Sequence, residues 1–108
     1  MTTITIYRDH NKNEKGFEIK GHACFATNGK DIVCAAISIL TQNTINSIET
    51  YAGDACSYKE DENSGYMKYL ILNIPSEKAD LLLKSLSLGL SQISQNYKKY
   101  VKLKFEEV

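Results

Sequence analysis

Cysteine and histidine are the residue types best suited to covalent chemistry at neutral pH, and one stretch of this chain holds both. In GHACFATNGKDIVCAAIS, Gly21 to Ser38, His22 ends an alternating segment and Cys34 opens a helical one. A thiol becomes a strong nucleophile as its thiolate. A helix N-terminus favours that state through its unpaired N–H groups and aligned peptide dipoles. A neighbouring imidazole takes the proton. Of His10 and His22, only His22 is tied to Cys34 by a short connection. Such a pair attacks a carbonyl through Cys34 to give an acyl-enzyme, and His22 returns the proton to the leaving amine. Backbone N–H groups of Val33 or Cys34 are candidates for the oxyanion site. Asp31 either caps the helix or orients His22 as a third catalytic member.

The same residues also have plain structural explanations. A cysteine beside Val33, Ala35 and Ala36 suits burial as a small hydrophobe, and a strand-end histidine suits a polar surface. Gly21 and Gly29 fit turn requirements, and Ser38, one turn after Cys34, fits a small packing position. His22, Cys24 and Cys34 have the spacing H-x-C-x9-C, which offers three ligands without the fourth of a structural zinc site. No metal and no cofactor are therefore expected. The third cysteine, Cys56, leaves an odd count, and reduced thiols are the expectation. A Cys24–Cys34 bridge would cap the proposed nucleophile, and a thiol redox sensor built on that pair is an alternative function.

The elements that must position these groups follow from periodicity. Thr3 to Arg8 alternates, with Ile4 and Ile6 on one side, and Phe17 to His22 alternates after a polar turn that holds His10, so two antiparallel strands are expected. Ala23 to Lys30 (Ala23, Cys24, Phe25, Ala26, Thr27, Asn28, Gly29, Lys30) reads as a loop, with Asp31 as N-cap of the first helix and Cys34 at about its third position. That helix carries the stripe Val33, Ile37, Leu40, Thr44, Ile48 and Tyr51 and ends near Gly53. Strands over Ala55–Glu60 and Tyr66–Ile74 flank the turn DENSG. A second helix follows Pro75 and Ser76 with Ala79, Leu82, Leu86, Leu90 and Ile93 on its stripe, and Tyr100–Phe105 forms a last strand. Gly89 inside the second helix serves close packing or merely weakens it. The order strand-strand-helix-strand-strand-helix-strand predicts an α+β domain over 1–108, a single mostly antiparallel sheet with two helices packed on one face.

Composition narrows the function. The 108 residues carry 13 basic and 13 acidic side chains, a formal net charge of +0, so no basic excess exists to neutralise phosphates and nucleic acid is not expected as a direct partner. The opening MTTITIYRDH alternates instead of presenting a basic flank and an apolar run, and no stretch approaches the roughly 18 apolar residues of a membrane span. A cytoplasmic protein without membrane contact is the expectation.

The run GHA, a short variable loop, and then G-x-DIVCAA-x-S resembles the bacterial ribosomal-processing cysteine proteases, and the element order extends that resemblance over essentially the whole chain. It implies that His22 and Cys34 are the catalytic dyad and that Asp31 and Ser38 belong to the site. It further implies cleavage of the N-terminal extension of a large-subunit ribosomal protein, a homodimer, and a mobile loop between the dyad residues, here Ala23–Lys30, whose small and polar residues and Gly29 suit closure over a bound peptide. Cys24 departs from the family pattern and puts a second thiol two residues from the base. A non-catalytic assembly factor that holds a ribosomal protein tail is the alternative from another class.

Overall fold

Alternating stretches pair edge to edge because each has one apolar face to bury, and here they form one sheet. The computed structural model describes residues 1–21 and 28–108, with the backbone alone over 28–31. Strands β1 (Thr2–Arg8) and β2 (Glu14–Lys20) form an antiparallel hairpin that aligns Ile4 with Ile19 and Ile6 with Phe17. In the turn, the Asp9 carboxylate accepts from the backbone N–H groups of Asn11 and Asn13, and His10 is exposed as expected. Strands β3 (Cys56–Asp61) and β4 (Tyr66–Ile71) form a second hairpin, which joins the first through β4 on β2. Strand β5 (Val101–Glu107) lies parallel to β1 at the other edge, giving the order β3-β4-β2-β1-β5. This is the expected mostly antiparallel sheet of an α+β fold, with one parallel pair. Strand β4 stops at Ile71, three residues earlier than the apolar run suggests, and Leu72 and Ile74 are exposed.

Both helices pack on one face. Ile4, Ile6, Phe17, Ile19, Tyr69 and Ile71 from the sheet meet Val33, Ile37 and Ile45 of α1 (Asn28–Ser47) and Ala79, Leu83, Leu86 and Leu90 of α2 (Glu77–Asn96). Each large apolar side chain buried there contributes about 1.5–3 kcal/mol before entropy is counted. Gly16 lets β2 and β4 approach, because a Cβ at that position would lie 2.0 Å from the Tyr69 carbonyl oxygen.

The helix stripes keep most of their predicted positions: Val33, Ile37, Thr44 and Ile48 in the first, and Ala79, Leu86 and Leu90 in the second, are buried. On α1, Thr41 and Ile45 are buried as well, and Leu40 is half-buried against the core. The helix then widens into a π turn, Ile48–Ala52, closed by Gly53 donating to the Ile48 carbonyl at 2.7 Å. The wider turn carries Tyr51 out of the stripe, and it is exposed. Half-buried Leu40 instead meets Gly89, where a Cβ would lie 3.1 Å from Leu40 Cδ1, so Gly89 serves close helix packing. On α2, Leu83 is buried in preference to Leu82. Its start is as predicted: Ser76 Oγ accepts from the Ala79 N–H at 3.1 Å and itself donates to Asp54 at 2.6 Å.

Candidate active site

Helix α1 begins at Asn28, three residues before the expected cap. Asparagine is itself a favoured residue at helix starts, and the intrahelical bonds gained outweigh the cost of about 1 kcal/mol for Gly29 inside a helix. Asn28, Gly29 and Lys30 are therefore helical instead of looped, and Asp31 is the fourth helical residue, not the N-cap. The remaining loop candidates Ala23, Cys24, Phe25, Ala26 and Thr27 lie outside the described residues, as does His22.

Cys34 is consequently the seventh residue of α1, in the second turn instead of the first. Two consequences follow. The N–H groups of Val33 and Cys34 fall beyond the first four of the helix, so they are engaged by helix carbonyls and are not free oxyanion donors. The helix dipole acts mainly within the first turn, so its hold on a Cys34 thiolate is weaker than the sequence implied.

Cys34 lies on one wall of a groove of about 370 Å³, with Ile37, Ser38, Thr41 and Gln42 beside it on α1. Thr2, Ile19 and Gly21 line the groove from the sheet, and Glu60, Asp61, Glu62, Gly65, Tyr66 and Met67 from the β3–β4 hairpin. Ser38 thus shares the groove with Cys34, as its one-turn spacing predicts. Thr41 is buried, and its hydroxyl hydrogen-bonds the carbonyls of Ile37 at 2.9 Å and Ser38 at 3.1 Å. Tyr66 donates to Glu18 Oε2 at 2.9 Å, and desolvation first, then this bond, raises its phenol pKa.

Gly21 is the last described residue before His22, and its conformation is specific. Its φ is +92°, and a Cβ would sit 2.7 Å from the Met1 carbonyl oxygen. Glycine is thus required for both backbone shape and room, which replaces a generic turn role with a positional one. The Thr2 hydroxyl donates to the Gly21 carbonyl at 3.4 Å.

The thiols differ from the reduced set that was expected. Cys34 is disulfide-bonded, while Cys56 is free and half-buried against the core. Two of the three residues weighed as metal ligands, His22 and Cys24, lie outside the described set; among the described residues no three acidic, cysteine or histidine side chains form a metal cluster.

The hairpin wall was not foreseen from sequence. DENSG is legible as a turn, but its placement across from α1 depends on the sheet order, which no local pattern encodes.

A mixed sheet backed by two helices, with a cysteine on the first helix at the wall of an open groove, has the architecture of an α+β cysteine protease. The chain belongs to the family described as cysteine protease Prp, whose model matches residues 1–102. It is 31% identical to the ribosomal processing cysteine protease Prp of Bacillus subtilis, with 91% of each chain covered. Among solved structures it resembles SMU.848 from Streptococcus mutans, with a TM-score of 0.90 and 33% identity over 100% of this chain and 96% of that one. It also shares the fold of the ribosomal processing protease Prp from Staphylococcus aureus, solved with a covalently linked product peptide. There the TM-score is 0.88 and the identity 24%, over 98% of this chain and 100% of that one. The chain is a cysteine protease.

Proposed function

We propose that residues 1–108 form one endopeptidase domain that removes the N-terminal extension of a large-subunit ribosomal protein, with Cys34 as nucleophile and His22 as general base and acid. The observation that carries this reading is the position of Cys34 on the wall of a groove bounded by α1 and the β3–β4 hairpin. An extended peptide laid along the groove presents its scissile carbonyl to that sulfur.

The chemistry starts from the reduced enzyme. The thiolate of Cys34 bonds to the scissile carbonyl carbon, and the carbonyl electron pair moves onto oxygen. Collapse of that adduct expels the amine, which takes a proton from the His22 imidazolium and leaves a thioester on Cys34. His22 then draws a proton from water, whose oxygen attacks the thioester and frees the sulfur. The Ser38 hydroxyl, one turn along the wall, donates to the peptide or to the developing oxyanion. Asp31 serves the site from within the helix, and the loop of Ala23, Cys24, Phe25, Ala26 and Thr27 covers the bound peptide.

The relatives' names and the motif resemblance support the ribosomal substrate, and the cytoplasmic setting rests on that proposed substrate. The homodimer follows from the resemblance alone. The balanced charge supports contact with a protein tail and not with nucleic acid. Among the described residues no helix is long and apolar enough to cross a membrane.

The test is incubation of the reduced protein with the extended ribosomal protein, followed by intact mass analysis. Loss of a single N-terminal peptide is expected, and its absence in His22→Ala and Cys34→Ala. Cleavage by Cys34→Ala at the wild-type rate overturns the assignment.

A further inference from the structure

A second groove, of about 520 Å³, lies at the other end of the sheet, and its size is that of a small-molecule site. Arg8 closes β1 where Thr2 opens it, so about 20 Å of strand separates this groove from the end that adjoins Cys34. The two grooves share no described lining residue. Arg8, Lys12, Glu14 and Phe105 line the second one from the strands and the first turn. Lys84, Ser87, Leu88 and Ser91 line it from α2, at the spacing of one helical face.

The cations of this groove are held in place. Arg8 Nε donates to the carboxylate of buried Glu14 at 2.8 Å, and the guanidinium carbon lies 4.0 Å from the centre of the Phe105 ring. Among the described residues no hydrogen bond uses the two terminal nitrogens of Arg8, so the end of its fork can grip a two-oxygen anion. Lys84 Nζ is held by Asp80 at 2.7 Å. Lys12 brings a third cation from an exposed turn position with φ of +66°. That left-handed conformation suits glycine or asparagine, and Asn11 and Asn13 stand on either side, so local folding does not explain a lysine at this point. Against Glu14 and Asp80, the three cations leave one positive charge. Beside them Leu88 and Phe105 present apolar surface, 64% and 46% exposed.

We propose that this groove binds a single carboxylate carried on a small apolar group, with the carboxylate on Arg8 and Lys12 and the apolar group on Leu88 and Phe105. One excess positive charge matches a carboxylate, whereas a phosphate dianion would leave negative charge beside buried Glu14. A free aliphatic acid and the C-terminal residue of a peptide present the same chemistry. The site does not depend on Cys34 as nucleophile.

The experiment titrates the isotope-labelled full chain with octanoate, N-acetyl-leucine, the amide of each, and inorganic phosphate, and follows backbone amide shifts. Saturable shifts over residues 8–14 and 84–91 are expected with at least one acid, and binding about tenfold weaker with its amide. Saturation by octanoate alone assigns a free acid, and by N-acetyl-leucine alone a chain end. Lys12→Gln, in an exposed turn, and Leu88→Ser, on an exposed helix position, are each expected to weaken binding about fivefold with unchanged melting. The proposal is overturned if neither acid saturates below about 10 mM, or if the shifts fall on the Cys34 groove alone. Equal binding of acid and amide, tighter binding of phosphate, or wild-type affinity in Lys12→Gln overturns it as well.

Discussion

Ser38 follows Cys34 by one turn of α1, and both side chains line the same groove. The two can therefore act on one bound peptide, the sulfur on carbon and the hydroxyl as a donor. Cys34→Ala is expected to lower cleavage at least about a thousandfold. In the reduced proteins, where no disulfide is lost, the unfolding free energy should change by only about 1 kcal/mol, because Cys34 is half-buried. Ser38→Ala removes a single hydrogen bond worth about 1 kcal/mol, so kcat/KM should fall about fivefold. Single-turnover rates and denaturant melts of both variants check this, and an unchanged rate in Ser38→Ala would place Ser38 in the wall without a role in turnover.

Gly21 links stability to the placement of His22. An alanine there must adopt φ near +92° and push against the Met1 carbonyl, which costs about 1–3 kcal/mol. His22 is the next residue in the chain, so strain at Gly21 bears directly on the proposed base. Gly21→Ala is therefore expected to lower Tm and to lower cleavage by more than the loss of folded protein explains, measured at a temperature where both proteins are fully folded. Activity that tracks the folded fraction alone would remove this positional role.

Much of this fold is legible in single residues, and the illegible parts share a physical cause. The alternation of Ile4 and Ile6, the cap at Ser76 and the stop at Gly53 are local signals, and each appears where the sequence puts it. The start of α1 misled because Asp31 and Asn28 are both good start residues, and local propensity does not choose between them. The Leu82 to Leu83 shift is of the same kind, since neighbouring leucines carry equal local propensity and sheet contacts decide between them. Cys34 and Ser38 were legible as one site because one helix carries both. Their opposite wall, Glu60 to Glu62 with Tyr66 and Met67, comes from a hairpin at the sheet edge and was not.

That hairpin gives the groove a charge. Glu60, Asp61 and Glu62 line the same groove as Cys34 and are exposed, so a peptide carrying lysine or arginine should be favoured over a neutral one. Asp61→Asn and Glu62→Gln are each expected to weaken kcat/KM for a basic peptide about twofold to fivefold at low salt, mainly through KM. The difference should vanish near 1 M salt, where screening acts within about 3 Å. Equal losses with a neutral peptide would show that the hairpin acts through shape instead.

Tyr69 makes the fold sensitive to alkali. Its hydroxyl is buried with no hydrogen-bond partner among the described residues, and burial first, with neighbouring Cys56 second, pushes its pKa well above the free phenol value. Tyr7, Tyr58 and Tyr66 are shifted the same way, with burial the leading cause in each. A raised folded pKa means that the unfolded chain loses the proton first as pH rises, so unfolding is drawn forward above the free phenol pKa of about 10. Below that pH the stabilisation is fully present; above it, the loss continues until the folded pKa is reached. Tm measured from pH 8 to 11 should be flat at first and then fall, and Tyr69→Phe should fall less steeply. Because that substitution removes an unsatisfied buried hydroxyl, its stability at pH 8 should equal or slightly exceed wild type. A steeper alkaline fall in Tyr69→Phe would mean that the phenol is ionised in the folded protein and that the burial argument is wrong.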